Sequence, residues 1–254
     1  MIAVQVSKFI TQNNPFWAWP YRFMLGVGYQ LYKRTVQKPV LKKLFNGKFI
    51  KLYPDCHVSS EFVYTQIPDK KEIMRLRRAM KSNTTFMDIG ANIGAYSVLL
   101  ADKTEKIIAF EPDEGSFSRL KENLSLNQGL DFQVEKIALS NYVGEGKFSD
   151  LDAKTTNKLV SDDETGVVVK VTTLDEYAST MNLSKDKSYL LKIDVEGAEL
   201  ETLQGARDFL TTYLISGILF ESFDERFPLV KPYLESLGFQ IERIAHHNYW
   251  ASFA

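Results

Sequence analysis

From residue 84 onward the chain alternates short apolar runs with segments of helical spacing, and this alternation constrains the fold more than any other feature. Residues 85–88 form a short apolar run that ends at Gly90, and 95–101 continue as a helix. KIIAF (106–110) is a second buried strand, halted by Pro112. Asp113 is placed to cap the helix that follows, with Phe117, Leu120 and Leu124 at helical spacing as far as about Asn127. Residues 132–138 read as a third strand. The alternation then pauses over 144–171, a polar stretch with three glycines, whose VVVKV run suits a hairpin strand; it reads as an insertion. Thr173 and Glu176 have capping-box spacing for a short helix. YLLKID (189–194) leads into a helix over 198–210, and 215–221 is the next strand. A helix over 228–237 ends at Gly238, and 239–245 pairs with 248–253 as an antiparallel hairpin. Strands joined through helices predict an α/β fold with a mostly parallel sheet covered on both faces. Ligands of such sheets sit beyond the carboxyl ends of the strands, where the strand order reverses.

The first strand–loop–helix carries the strongest chemical signal. In DIGANIG (88–94), Gly90 and Gly94 let the backbone bend tightly, and the free amides at the start of a helix attract polar or anionic groups. A nicotinamide fingerprint needs G-x-G-x-x-G; here those positions hold Gly90, Asn92 and Ala95, so the glycine that admits a pyrophosphate is missing. Glu111 ends the second strand, 21 residues after Gly90, where a carboxylate accepts hydrogen bonds from the two hydroxyls of a ribose. A glycine loop between two acids suits a nucleoside without a pyrophosphate, such as S-adenosylmethionine (SAM), with Asp88 toward its amino group and Glu111 toward its ribose. The plainer alternative is an ordinary tight turn followed by a surface acid.

A second signal is KIDVEGAE (192–199), where Asp194 and Glu196 stand at the end of a strand and the start of a helix. Two readings are open: the carboxylates cap the helix, or they face a transferred group and orient an acceptor hydroxyl. Glu221, ending the next strand, is a third acid at the same edge. The spacing of these acids matches no metal signature, and no metal is expected. His246 and His247 fall in the last hairpin and read as turn residues; neighbours on a strand face opposite ways, so at most one could enter a site, where the alternative is a general base. Cys56 beside His57 is no nucleophile–base pair for the same reason. It is also the single cysteine, which excludes an intramolecular disulfide framework and a four-cysteine zinc site.

Charge divides the chain. Residues 1–51 hold nine of the 31 bases and none of the 32 acids, so the remainder carries 22 bases against 32 acids, a net of −10. Residues 1–14 lack the basic start, long apolar run and small-residue cleavage site expected of a secretory signal, and the most apolar stretch, 16–32, is broken by Pro20 and Arg22 and too short to span a bilayer. It is rich in aromatics, including Trp17, Trp19, Tyr21 and Tyr29. Two readings follow: a helical extension packing its aromatics on the acidic body, or a surface for an anionic membrane. The acidic body argues against a nucleic-acid partner.

The motifs FMDIGANIGAYS (86–97), IIAFEPD (107–113), KENLSLN (121–127), IALS (137–140), TTLDEY (172–177) and LLKIDVEGAELETLQGA (190–206) occur in order. Across about residues 84–240 the chain resembles the FkbM family of SAM-dependent methyltransferases. The resemblance implies a Rossmann-like class I methyltransferase fold, a seven-stranded sheet with an antiparallel final hairpin, here preceded by a basic helical extension. It implies methyl transfer from SAM, usually to a hydroxyl of a sugar, glycan or secondary metabolite; residues 1–75 match none of its motifs, so the expected division is an extension over 1–75 and a methyltransferase domain over 76–254. Carried over by position, Asp88, Gly90, Ala91, Asn92 and Gly94 form the SAM loop. Glu111 clamps the ribose with Pro112 beside it, and Ala138 and Leu139 flank the adenine. Asp194, then Glu196, border the acceptor as candidate bases. The expected location is the cytoplasm, against the inner face of a membrane if the arm binds lipid. A silent SAM-binding scaffold and a methyltransferase acting on nitrogen, nucleic acid or protein are the alternatives.

Overall fold

The computed structural model describes residues 2–149, 159–160 and 166–253. Seven strands form the central sheet. Four of them, β3 (Thr84–Ile89), β4 (Lys106–Phe110), β5 (Phe132–Glu135) and β10 (Ser188–Ile193), are joined by β11 (Leu214–Glu221), β12 (Phe239–Ala245) and β13 (Asn248–Phe253) in the order β12-β13-β11-β10-β3-β4-β5. All pairings are parallel except those of β13, which runs antiparallel to both β11 and β12. The order reverses between β3 and β10, so a crevice opens beyond their carboxyl ends.

Period-two alternation divides the buried side chains between the two faces of the sheet. Phe86, Leu190 and Leu219 pack with Val98, Leu100, Leu120 and Leu124 of α5 (Ala95–Leu100) and α6 (Glu114–Ser125). Met87, Ile89, Leu191, Ile193 and Phe220 pack on the other face, with residues of α7 (Leu174–Thr180), α8 (Glu199–Gln204), α9 (Arg207–Thr212) and α10 (Phe227–Ser236). The predicted caps form: Asp113 accepts from the Ser116 amide at 2.7 Å, and Thr173 accepts from the Glu176 amide at 3.0 Å.

Three expectations are revised. The strand expected over 132–138 is two: β5 joins the main sheet, whereas β6 (Ala138–Leu139) starts a second one. That four-stranded sheet, with β7 (Gly144–Phe148), β8 (Leu159–Val160) and β9 (Val167–Thr172), contains the described part of the expected insertion; 150–158 and 161–165 lie outside the described residues. The helix expected over 198–210 is broken at Gly205 and Ala206. A Cβ on Gly205 would stand 1.9 Å from the Ser140 carbonyl oxygen, and Asp175 accepts from the Asp208 and Phe209 amides, starting α9 as a separate helix.

The N-terminal region is not purely helical. After α1 (Ile2–Asn13), a 3₁₀ turn (Phe16–Ala18) and α2 (Trp19–Thr35) comes a hairpin of β1 (Val40–Lys43) and β2 (Phe49–Leu52), followed by α3 (His57–Tyr64) and α4 (Lys70–Ala79). Ile50, Leu52, Phe62, Ile73 and Leu76 are buried in the same cluster as Phe86 and Leu190. Asn123 and Asn127 of α6 and its C-terminal turn accept from the Lys51 and Phe49 amides at 2.7 and 2.8 Å, so the hairpin is hydrogen-bonded to the sheet's helical layer. Among the described residues no helix is long and apolar enough to cross a membrane.

Candidate active site

A cavity of about 590 Å³ opens where the strand order reverses. Its floor is the turn after β3, built by backbone conformations that few side chains tolerate. Gly90 has φ +75°, and a Cβ there would lie 1.8 Å from the Asp194 carbonyl oxygen, so only glycine lets this loop and the β10 turn touch. Asn92 adopts φ +51°, a region asparagine tolerates, and its Oδ1 accepts from the Ile93 amide at 2.8 Å.

To one side of Gly90, Glu111 at the end of β4 is buried and accepts from the Asn92 amide at 2.8 Å and the Asp113 amide at 2.9 Å. Burial outweighs these bonds and pushes its carboxyl up to about 7. Pro112, Ile137, Ala138 and Leu139 continue this wall, joined by Phe148 and Leu159 of the second sheet.

On the other side, β10 brings a buried cation. Lys192 stands beside Asp88 in strand register, with Nζ 2.8 Å from the Gly90 carbonyl oxygen that it donates to, 3.2 Å from Asp194 and 3.7 Å from Asp88. Burial opposes the ammonium, yet Asp194 and Asp88 more than offset it, and the lysine pKa stays above its ordinary value. Asp88 is fully buried, accepts from the Ser97 amide and hydroxyl at 3.1 and 2.6 Å, and is pushed up by burial against the pull of Lys192 and Ser97.

Beyond Lys192 the lining is acidic: Asp194 and Glu196 after β10, Glu221 ending β11, and Glu61 of α3 and Asp69 preceding α4. Glu221 is pushed up to about 8 by burial and by the Asp194 carboxylate against it; Glu61 rises to about 8 through burial, Asp69 and Asp194. Burial and Glu72 raise Asp69 to about 6, although it accepts from the Tyr96 hydroxyl at 3.0 Å. Among the described residues no group of three or more His, Cys, Asp or Glu has metal-holding geometry.

The sequence model of the family described as "Methyltransferase FkbM domain" matches residues 88–241, more than half of the chain. The protein belongs to the FkbM methyltransferase family. It is similar to "Methyltransferase sdnD" of Sordaria araneosa, 29% identical over 238 residues, 79% of this chain and 90% of that protein. It is also similar to "Hexuronic acid methyltransferase AglP" of Haloferax volcanii, 29% identical over 144 residues, 56% of this chain and 58% of that one. The crystal structure of a methyltransferase FkbM from Methylobacillus flagellatus KT superposes with a TM-score of 0.51 at 14% identity, covering 88% of this chain and 57% of that one, a likeness of fold.

Within this FkbM fold, Gly90, Ala91, Asn92, Glu111, Pro112, Ala138, Leu139, Asp194 and Glu196 all line the cavity. Asp88 and Gly94 do not. Asp88 lies beneath the floor, facing Ser97 and Lys192, and Gly94 (φ +83°) packs against Leu120. The N-cap of α8 is Ala198, with no side-chain cap; Asp194 pairs with Lys192, and Glu199 accepts from the Gly197 amide at 2.7 Å ahead of the helix. His246 and His247 are turn residues outside the cavity lining. Sequence reasoning passed over Lys192, Tyr96, Glu61 and Asp69. The signal for Lys192 was present, because a lysine inside an apolar strand must be paired when buried. Nothing local points Glu61 and Asp69 at Asp194, 133 and 125 residues further along the chain.

Proposed function

We propose that this protein transfers the methyl group of SAM to a hydroxyl oxygen of a sugar, glycan or secondary-metabolite acceptor. The observation that carries the reading is the placement of Glu111 and Asp194 on either side of the Gly90 turn, in one cavity at the strand-order reversal. The donor set suits SAM: a buried carboxylate for ribose hydroxyls, backbone at Gly90–Asn92 for the amino-acid end, and apolar Ile137, Ala138 and Leu139 for adenine. When bound, SAM supplies an electrophilic methyl on a sulfonium.

The chain's own residues then have separable tasks. Lys192 ties the Gly90 carbonyl to Asp194, fixing the floor relative to the acceptor side. A sugar hydroxyl is a poor nucleophile, and alignment with the methyl is the main requirement, aided by a positioned base. Asp194 is the first candidate for that base, held between the Lys192 ammonium and Glu221. Glu221 lies against Asp194, so a hydroxyl proton taken up by Asp194 enters a pair of neighbouring carboxyls. Glu61, Asp69, Glu196 and Glu221 surround the acceptor side with carboxyl groups, which favours acceptors rich in hydroxyl or amino donors over carboxylated ones.

Transfer of labelled methyl from SAM to a panel of neutral polyols, amino sugars and uronic acids tests this. Label is expected on neutral or amino acceptors, and Asp194→Asn is expected to lower turnover about 100-fold or more with SAM affinity within threefold of wild type. Equal losses of both would make Asp194 a cofactor ligand rather than a base.

A further inference from the structure

The N-terminal helix α2 has two chemically different faces. Its inner face is fastened to α3: Gly26 packs on the Tyr64 ring, Tyr29 is buried, Arg22 donates to the Val63 carbonyl at 3.3 Å, and Lys33 donates to Ser60 Oγ at 3.1 Å. On the opposite face, Tyr21, Met24, Val27 and Leu31 follow one another at three- and four-residue spacing, and Phe16 and Trp17 extend the row from the preceding turn. These six large apolar side chains are 56–75% exposed. The stripe is no by-product of a loosely packed helix, because the other face of the same helix is hydrogen-bonded down.

We infer that this face of α2 docks on an anionic lipid bilayer. The charge around it selects the occupant. Residues 1–51 hold nine bases and no acid, and Lys8 of α1, Arg34 in the last turn of α2 and Lys38 just after it are exposed. Apolar and aromatic side chains accompanied by bases suit the level of acyl chains and headgroups, and bases beside a membrane gain from anionic lipid. A second copy of this face meets it with like charge, since each copy brings the same acid-free segment. The arrangement also has a geometric consequence. His57, Val58 and Glu61 of α3 line the cavity, so the acceptor side lies one helix layer from the docked surface. The inference concerns the surface alone and stands whether or not SAM is the cofactor.

The test is co-sedimentation of the full-length chain with extruded vesicles of phosphatidylcholine alone and of phosphatidylcholine with phosphatidylglycerol. The wild type is expected to pellet with the anionic vesicles, to stay in solution with the neutral ones, and to be released by added salt. Met24→Glu combined with Leu31→Glu is expected to weaken binding at least tenfold at unchanged melting temperature, as these side chains are exposed. Trp17→Ser, in the turn outside the helix, gives a second readout in the same direction, and Lys8, Arg34 and Lys38 changed together to Gln must also weaken it. Equal pelleting by wild type and all variants, or none by the wild type, overturns the inference. So does light scattering that shows a dimer which Met24→Glu converts to a monomer while vesicle binding is absent; the stripe then belongs to a second copy.

Discussion

Changing Lys192 to methionine keeps a long side chain in β10 and removes its ammonium. The Lys192 side chain is buried, and its ammonium lies 3.7 Å from a fully buried carboxylate and donates to the Gly90 carbonyl at 2.8 Å. Asp88 keeps its two Ser97 contacts on Oδ2, but Oδ1 is buried with no hydrogen bond of its own and depends on Lys192 for its countercharge. Breaking one side of a buried ion pair costs about 3–5 kcal/mol, because a charge is left uncompensated. For a chain of this length that is a fall in melting temperature on the order of 10 °C. Replacing both partners removes the stranded charge, so Asp88→Asn in the Lys192→Met background is expected to regain about 2 kcal/mol or more. Urea unfolding of wild type, the two singles and the double, compared at constant m, measures the coupling. A Lys192→Met loss below about 1 kcal/mol, or a double equal to the sum of the singles, refutes the assignment of Lys192 as the ion that holds this floor together.

Two further outcomes follow from the same geometry. Gly90→Ala is expected to cost more than about 3 kcal/mol, since left-handed strain and a clash with the Asp194 carbonyl add together, whereas Gly197→Ala, at φ +98° with open space around it, costs about 1–2 kcal/mol; thermal melts of the two separate strain from collision. Glu61, Glu111 and Glu221 have folded pKa values above the unfolded glutamate value, so the folded state holds protons that the unfolded chain releases, and stability from this source is lost as pH rises from about 4.5 to about 8. The melting temperature is therefore expected to fall between pH 5.5 and 8.5, and Glu61→Gln with Glu221→Gln to flatten that slope; a rise over the interval contradicts the burial of these acids.

Much of the fold was legible because it is written in local periodicity. KIIAF, FQIERIA and NYWASF occupy the predicted strands at the predicted limits, since alternation and flanking turn residues specify them without help. The break in the helix after β10 was not, because Gly205 is required by the distant Ser140 carbonyl rather than by its neighbours. The same division holds at the site. Gly90, Asn92, Glu111 and Asp194 announce themselves by type and spacing at strand ends. Asp88 was assigned to the ligand although alternation along β3 places it on the face of Phe86, toward α5 and Ser97. The acids Glu61 and Asp69 reach the cavity through tertiary packing of a region that carries no motif.

Calorimetric titration of SAM into the wild-type protein and into Glu111→Ala tests the central claim most directly, that the crevice between β3 and β10 is a SAM site. The account predicts saturable one-to-one binding by the wild type, weakened at least tenfold when Glu111 loses its carboxylate. An absence of binding by the wild type, or an affinity that Glu111→Ala leaves unchanged, would contradict it.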